Sequence, residues 1–185
     1  MNIVVYCSSC ANLAGEYVQS AEALGKWIGS HGHTLVYGGV NAGLMHTVAQ
    51  STHDAGGKVI GIIPELFRSR ADEVNDEVIF TADLAERKAA MIEMASLFVV
   101  LPGGIGTLDE WISTLSQIIV NKDDRRSMII VNTHGMYQGM LEQIAATGAS
   151  PFARSNKLDR YTVAADTKQL IEQLNQFNDN SNDEK

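Results

Sequence analysis

The stretch Pro102-Gly103-Gly104-Ile105-Gly106-Thr107-Leu108-Asp109-Glu110 joins a glycine-rich turn to two acidic residues. Before it, Leu97-Phe98-Val99-Val100-Leu101 is a continuous apolar run that reads as a buried strand. After it, Leu108, Trp111, Ile112, Leu115, Ile118 and Ile119 recur at helical spacing. A glycine turn between a strand and a helix N-terminus is suited to holding a phosphate, because unpaired backbone N–H groups and the positive end of the helix dipole face the ligand together. With a carboxylate one turn into the helix, the combination points to chemistry on a phosphorylated small molecule.

Each of these residues also has a structural reading. Thr107-x-x-Glu110 fits a capping box, in which both side chains satisfy N–H groups of the helix start. Asp109 and Glu110 are adjacent, so they point about 100° apart around a helix and cannot face one substrate as an acid/base pair. At most one faces the crevice, and Glu110 shares its phase with Thr107 and Thr114. Asp109 holds the turn or contacts a ribose. Arg87-Lys88 is either a solvated face or an anion site, since arginine binds phosphate through two nitrogens. Arginine stays protonated, which limits it to positioning or charge stabilisation.

The elements that must position these groups alternate along the chain. Strands are expected at Ile3–Tyr6, His33–Tyr37, Val59–Ile63, Val78–Phe80, Leu97–Leu101, Ser127–Val131 and Tyr161–Ala164. Helices are expected at Gly15–Gly29, Gly43–Ala55, Leu84–Ala95 behind an Asp83/Glu86 capping box, from Thr107, at Tyr137–Ala146 and at Asp166–Phe177. Glu65–Asn75 reads as a loop or short helix over the sheet. The alternation implies an α/β fold: a doubly wound, Rossmann-like parallel sheet with helices on both faces. Ligands of such sheets bind at the carboxyl ends of strands. Cys7–Cys10, Tyr37–Val40, Ile63-Pro64 and Pro102–Thr107 fall there and should converge on one crevice. One domain over residues 1–177 is expected, with a polar, frayed tail at 178–185.

Composition narrows the function further. The 185 residues, 45% of them hydrophobic, suffice for one sizeable core. A net charge of −8 argues against broad binding to nucleic acid or anionic membrane. Apolar runs fall well short of the roughly 20 residues that span a bilayer, and no basic-then-apolar leader opens the chain, so a cytoplasmic location is expected. Cys7 and Cys10 have the spacing of a redox pair, or are small residues in a turn. A second cysteine pair is missing and the five histidines are scattered, so no metal is expected. The dinucleotide fingerprint does not follow the first strand, and no Lys-Ser or Lys-Thr follows the glycines, which argues against NAD, FAD and triphosphatase chemistry. No cofactor is expected.

Pro102 to Glu110 resembles the P-G-G-x-G-T-x-x-E signature of the Lonely Guy family, and Arg87-Lys88-Ala89-Ala90-Met91 resembles that family's R-K-x-x-M segment. Tyr37-Gly38-Gly39, Gly43-Leu44-Met45 and Gly61-Ile62-Ile63-Pro64 resemble further blocks, so the likeness covers residues 3 to 150. The resemblance implies a cytokinin riboside 5′-monophosphate phosphoribohydrolase, often mislabelled a lysine decarboxylase. Such a protein cleaves adenine-type nucleoside 5′-monophosphates to free base and ribose 5-phosphate. It implies a homodimer or higher homo-oligomer, with active sites near the subunit interface. By similarity, Arg87 and Glu110 are the catalytic pair. Lys88, Gly103, Gly104, Ile105, Gly106, Thr107, Leu108 and Asp109 bind the nucleotide, joined by Ser9, Gly38 and Gly39 at the ends of the first two strands. Glu110 would stabilise an oxocarbenium-like sugar or activate water; the group protonating the base is not identified.

Three departures touch the crevice: Val40 and His46 replace usual glycines, and Cys7-Ser8-Ser9 replaces C-G-S-S. They leave open a second reading, a nucleotide or molybdenum-cofactor carrier that uses the same cradle without catalysis. Pyridoxal-dependent lysine decarboxylation is a third, for which none of Lys26, Lys58, Lys88, Lys122, Lys157 or Lys168 stands in a recognisable Schiff-base context.

Overall fold

The computed structural model describes residues 1–121, 123–151 and 160–183. Strands and helices alternate in the order β1 (Asn2–Tyr6), α1 (Gly15–Ser30), β2 (Thr34–Tyr37), α2 (Gly43–Asp54), β3 (Lys58–Pro64), β4 (Glu77–Thr81), α3 (Leu84–Met94), β5 (Leu97–Val100), α4 (Ile105–Val120), β6 (Ser127–Val131), α5 (Gln138–Gly148), β7 (Tyr161–Ala164) and α6 (Thr167–Asp183). All strand pairs are parallel, and the sheet runs β4-β3-β2-β1-β5-β6-β7. The chain winds outward from β1 to β4, then returns to the other side of β1 with β5. The order therefore reverses between β1 and β5, and a parallel sheet opens its ligand crevice at such a reversal.

Alternate residues of the central strands feed two cores. Ile3, Val5, Cys7, Leu35 and Tyr37 pack toward α1, α2 and α6, while Val4, Tyr6, Val36, Phe98 and Val100 pack toward α3 and α4. Burial on both faces explains why these strands read as apolar runs rather than as alternating patterns. Among the described residues, no helix is long and apolar enough to cross a membrane.

The expected boundaries hold to within a residue or two except at the end of α6, and two further segments are informative. Glu65–Arg70 is a 3₁₀ segment between β3 and β4, the short helix that is one of the two expectations for this stretch. Helix α4 starts at Ile105 rather than Thr107, because Gly104 takes the extended N-cap conformation and the helix closes on its carbonyl through the Leu108 N–H. Helix α6 runs past Phe177 to Asp183, where a polar tail is expected; Leu170 and Leu174 seat its first turns on the core and the polar residues continue the same helix.

Candidate active site

Glycine is required at the floor of the crevice by close approach. A Cβ on Gly103 would lie 2.1 Å from Thr107 Oγ1, so Thr107 folds back over the turn. Gly39 has φ +74, and a Cβ there would meet Ile63 at 2.3 Å. The loops after β1, β2 and β5 are laced together at this point: Leu44 N–H donates to Ser8 O, and Ser8 N–H donates to Pro102 O. The β1, β2 and β5 features thus meet in one crevice, as the topology requires, with Pro64 pairing with Thr81 at the end of β3.

The start of α4 is open. Its N-cap glycine supplies no side-chain hydrogen bond, and the first intrahelical bond of the turn is Leu108 N–H to Gly104 O. The N–H groups of Ile105, Gly106 and Thr107 precede that bond and point toward the crevice end of the helix. Gly104, Ile105 and Gly106 are exposed, Thr107 is buried, and Leu108 is half-buried against the core. With the helix starting at Ile105, Thr107 is not its cap and Glu110 lies in the second turn. The capping-box reading of this pair is overturned, and neither residue is spoken for by the helix terminus.

Glu110 is instead bound by Arg87. Arg87 Nη2 donates to Glu110 Oε1 at 2.6 Å, with side-chain exposures of only 12% and 4%. Burial pushes the Glu110 carboxyl up to about 7, against the opposing pull of Arg87. Arg87 Nε is buried without a partner among the described residues, and Arg87 Nη1 lies beside Gly38. The capping box before it is real but shifted: Asp83 Oδ1 accepts from Ala85 and Glu86 N–H, while Glu86 Oε2 accepts from Ala82 N–H.

One residue along each helix, Lys88 Nζ donates to both Asp109 oxygens at 2.7 and 2.8 Å and to Ser113 Oγ at 3.0 Å. That pair faces outward, and its lysine hydrogen bonds hold Asp109 below the ordinary carboxylate range. Adjacent Asp109 and Glu110 therefore diverge around the helix: Glu110 turns in beside Thr107 and Thr114, and Asp109 turns out. Ser9 is exposed beside the crevice, and Gly38 and Gly39 line its β2 end.

Other residues of the site carry no pattern in the sequence. Tyr6 Oη and Thr114 Oγ1 share a buried hydrogen bond of 2.9 Å that pins α4 to β1. Tyr137 Oη donates to Leu101 O at 2.9 Å at the entry to the glycine turn. His46 Nδ1 lies 2.7 Å from the buried Asp72, whose own N–H donates to Gly39 O. Tyrosines close to glycine turns and one of several acids in a charged loop were the available signals. Cys7 is buried and Cys10 exposed, both free; burial and Glu110 push the Cys7 thiol up, so the pair is poorly suited to thiolate chemistry. Among the described residues no group of histidine, cysteine or acid side chains could hold a metal ion. A groove of about 510 Å³ between α1 and α2 has neither Arg87 nor Glu110 in its lining.

Comparison with known proteins places the chain as a whole in a family. A family model described as possible lysine decarboxylase matches residues 45–174, more than half of the chain. Cytokinin riboside 5′-monophosphate phosphoribohydrolase LOG5 of Arabidopsis thaliana is 32% identical over 95% of this chain and 77% of its own. The protein of that name from Rhodococcoides fascians is 30% identical over 92% and 87%. One from Mycobacterium marinum is 34% identical over 79% and 80%. Among solved structures, the molybdenum cofactor carrier protein of Chlamydomonas reinhardtii superposes with a TM-score of 0.73 at 23% identity, covering 95% of this chain and 96% of that one. At that identity the likeness speaks for the fold alone.

Proposed function

We propose, on the premise that this chain belongs to the family described as possible lysine decarboxylases, that it hydrolyses the N-glycosidic bond of adenine-type nucleoside 5′-monophosphates. N6-substituted, cytokinin-type bases fall within the reading, which follows the names of the relatives. The observation that carries it is the buried Arg87–Glu110 pair beside an uncapped α4 N-terminus at the reversal of strand order.

The N–H groups of Ile105, Gly106 and Thr107 receive the 5′-phosphate. This fixes the ribose over Glu110. As the bond from C1′ to the base nitrogen breaks, positive charge grows on the sugar, and the Glu110 carboxylate stabilises it. Water adds its oxygen to C1′ and keeps one proton as the new hydroxyl; its other proton passes to Glu110 or solvent, and the departing base nitrogen takes up one proton from solvent. Arg87 holds Glu110 in place. Lys88, Asp109, Ser9, Gly38 and Gly39 complete the binding surface.

Decarboxylation of lysine would need pyridoxal phosphate held on a lysine amine. Lys88, the described lysine at this site, has its amine held by Asp109 and Ser113, and an ion-paired ammonium does not suit that bond. The residues present do not fit the group.

The reading extends to a homodimer. Ile105, Ile112 and Val120 of α4 are 82, 37 and 78% exposed and fall within about 80° of one another around the helix, an apolar strip that a second copy would cover. Light scattering of the purified protein measures this directly.

Chromatography of products from a nucleotide panel tests the activity. Free base and ribose 5-phosphate should form from AMP or isopentenyladenosine monophosphate, and far less base from the unphosphorylated nucleosides. Saturable nucleotide binding without turnover would favour a carrier instead.

A further inference from the structure

We infer that Tyr137 is a positioning residue that holds the phosphate cradle in its binding shape, an inference that rests on the hydrolase reading above. Parallel pairing of β5 with β6 ends at Val100 and Ile130, one residue short of Leu101. Leu101 N–H still donates to Tyr6 O, but the buried Leu101 carbonyl has lost its strand neighbour. The chain then enters Pro102, which has no N–H, and two glycines, which restrain the backbone least. Ser8 N–H donates to Pro102 O at 3.2 Å, and the next backbone bond is Leu108 N–H to Gly104 O. A segment built this way depends on a few long-range ties for its shape.

Tyr137 supplies a second tie, just before the one Ser8 makes to Pro102 O. Its hydroxyl donates to Leu101 O at 2.9 Å, and the side chain is 3% exposed. Its ring meets Trp111 edge-on at 5.1 Å, and Trp111 is the residue after Glu110. One side chain thus braces both the entry of the glycine turn and the helix turn that carries the carboxylate. Tyr137 is itself fixed from behind: its N–H donates to Asn132 Oδ1 at 2.7 Å, and Asn132 N–H donates to Ala164 O at 2.8 Å. The loop that presents it contains His134 at φ 56, a left-handed conformation uncommon for histidine. Non-glycine residues in that region persist where the surroundings over-determine the backbone, as at functional sites. The line of support runs from β7 through Asn132 and Tyr137 to the cradle.

If Tyr137 acts through the cradle, its hydroxyl matters only to ligands that carry a 5′-phosphate. The test is Tyr137→Phe, which keeps the ring against Trp111 and removes the hydroxyl, compared with wild type. Ribose 5-phosphate affinity, measured calorimetrically without turnover, should weaken about tenfold, the equivalent of one neutral hydrogen bond. The ratio of kcat/KM for AMP to that for adenosine should fall by a similar factor. Tyr137→Leu, which also removes the ring, should lower turnover of both substrates. Equal losses for AMP and adenosine in Tyr137→Phe, or unchanged ribose 5-phosphate affinity, would overturn the inference. Wild-type protein that binds ribose 5-phosphate but turns over no nucleotide would defeat the hydrolase reading instead, and leave the cradle result standing.

Discussion

Helices α3 and α4 are joined by two ion pairs made from neighbouring residues, Arg87–Glu110 and Lys88–Asp109. The chemistry is the same, a basic side chain on α3 meeting an acid on α4, and the contact distances are 2.6 and 2.7 Å. The two acids nevertheless part company: Glu110 is pushed up by burial, Asp109 down by its lysine. About 100° of helix rotation separates a carboxylate in low dielectric from one in water. The inner pair has the environment for chemistry and the outer one does not.

That contrast can be broken most forcefully from the inside. Arg87→Ala strands a buried acid, and urea unfolding should show a stability loss of about 3–5 kcal/mol, partly recovered in Arg87→Ala/Glu110→Ala. Glu110→Gln keeps the volume and removes the charge; product formation from AMP should fall about 10²–10³-fold while the protein stays folded.

A pH series sharpens the comparison. The folded carboxyl of Glu110 titrates at about 7, above its ordinary 4.5, so the folded state holds a proton that the unfolded chain has released. Its contribution to stability is full below 4.5 and is lost as pH rises through 7, while the ionised, active form accumulates over the same range. Stability and turnover should therefore move in opposite directions from pH 5 to 8, and Glu110→Gln should flatten both curves. Identical pH profiles for wild type and variant would count against the assignment.

The outer pair should respond least. Lys88→Ala should cost at most about 1 kcal/mol in stability, since exposed pairs are screened. Its mark should be a raised KM for the monophosphate with kcat little changed. Asp109→Asn should be smaller still in unfolding, and the difference from wild type should vanish in high salt.

Much of this was legible beforehand. The strands announce themselves as apolar runs because a parallel sheet is covered on both faces. The glycine turn is visible because strand, glycines and helix period follow one another in the chain. The helix start was misplaced by two residues because Thr107 has the composition of a cap, yet its side chain is drawn over Gly103 by a tertiary approach. Tyr137 and Asp72 left no mark because their partners, Leu101 and His46, lie far along the chain.

By itself the sequence determined the repeating α/β pattern, the cradle and the residue types available to act, since each depends on neighbours within a few positions. Only the tertiary structure decided that strand order reverses between β1 and β5, that the α4 terminus is left uncapped, and that Glu110 rather than Asp109 is buried against an arginine. Those outcomes depend on burial and on pairing across more than twenty residues. A helix places Asp109 and Glu110 at fixed angles, but what stands opposite each angle is set by the packing of another helix.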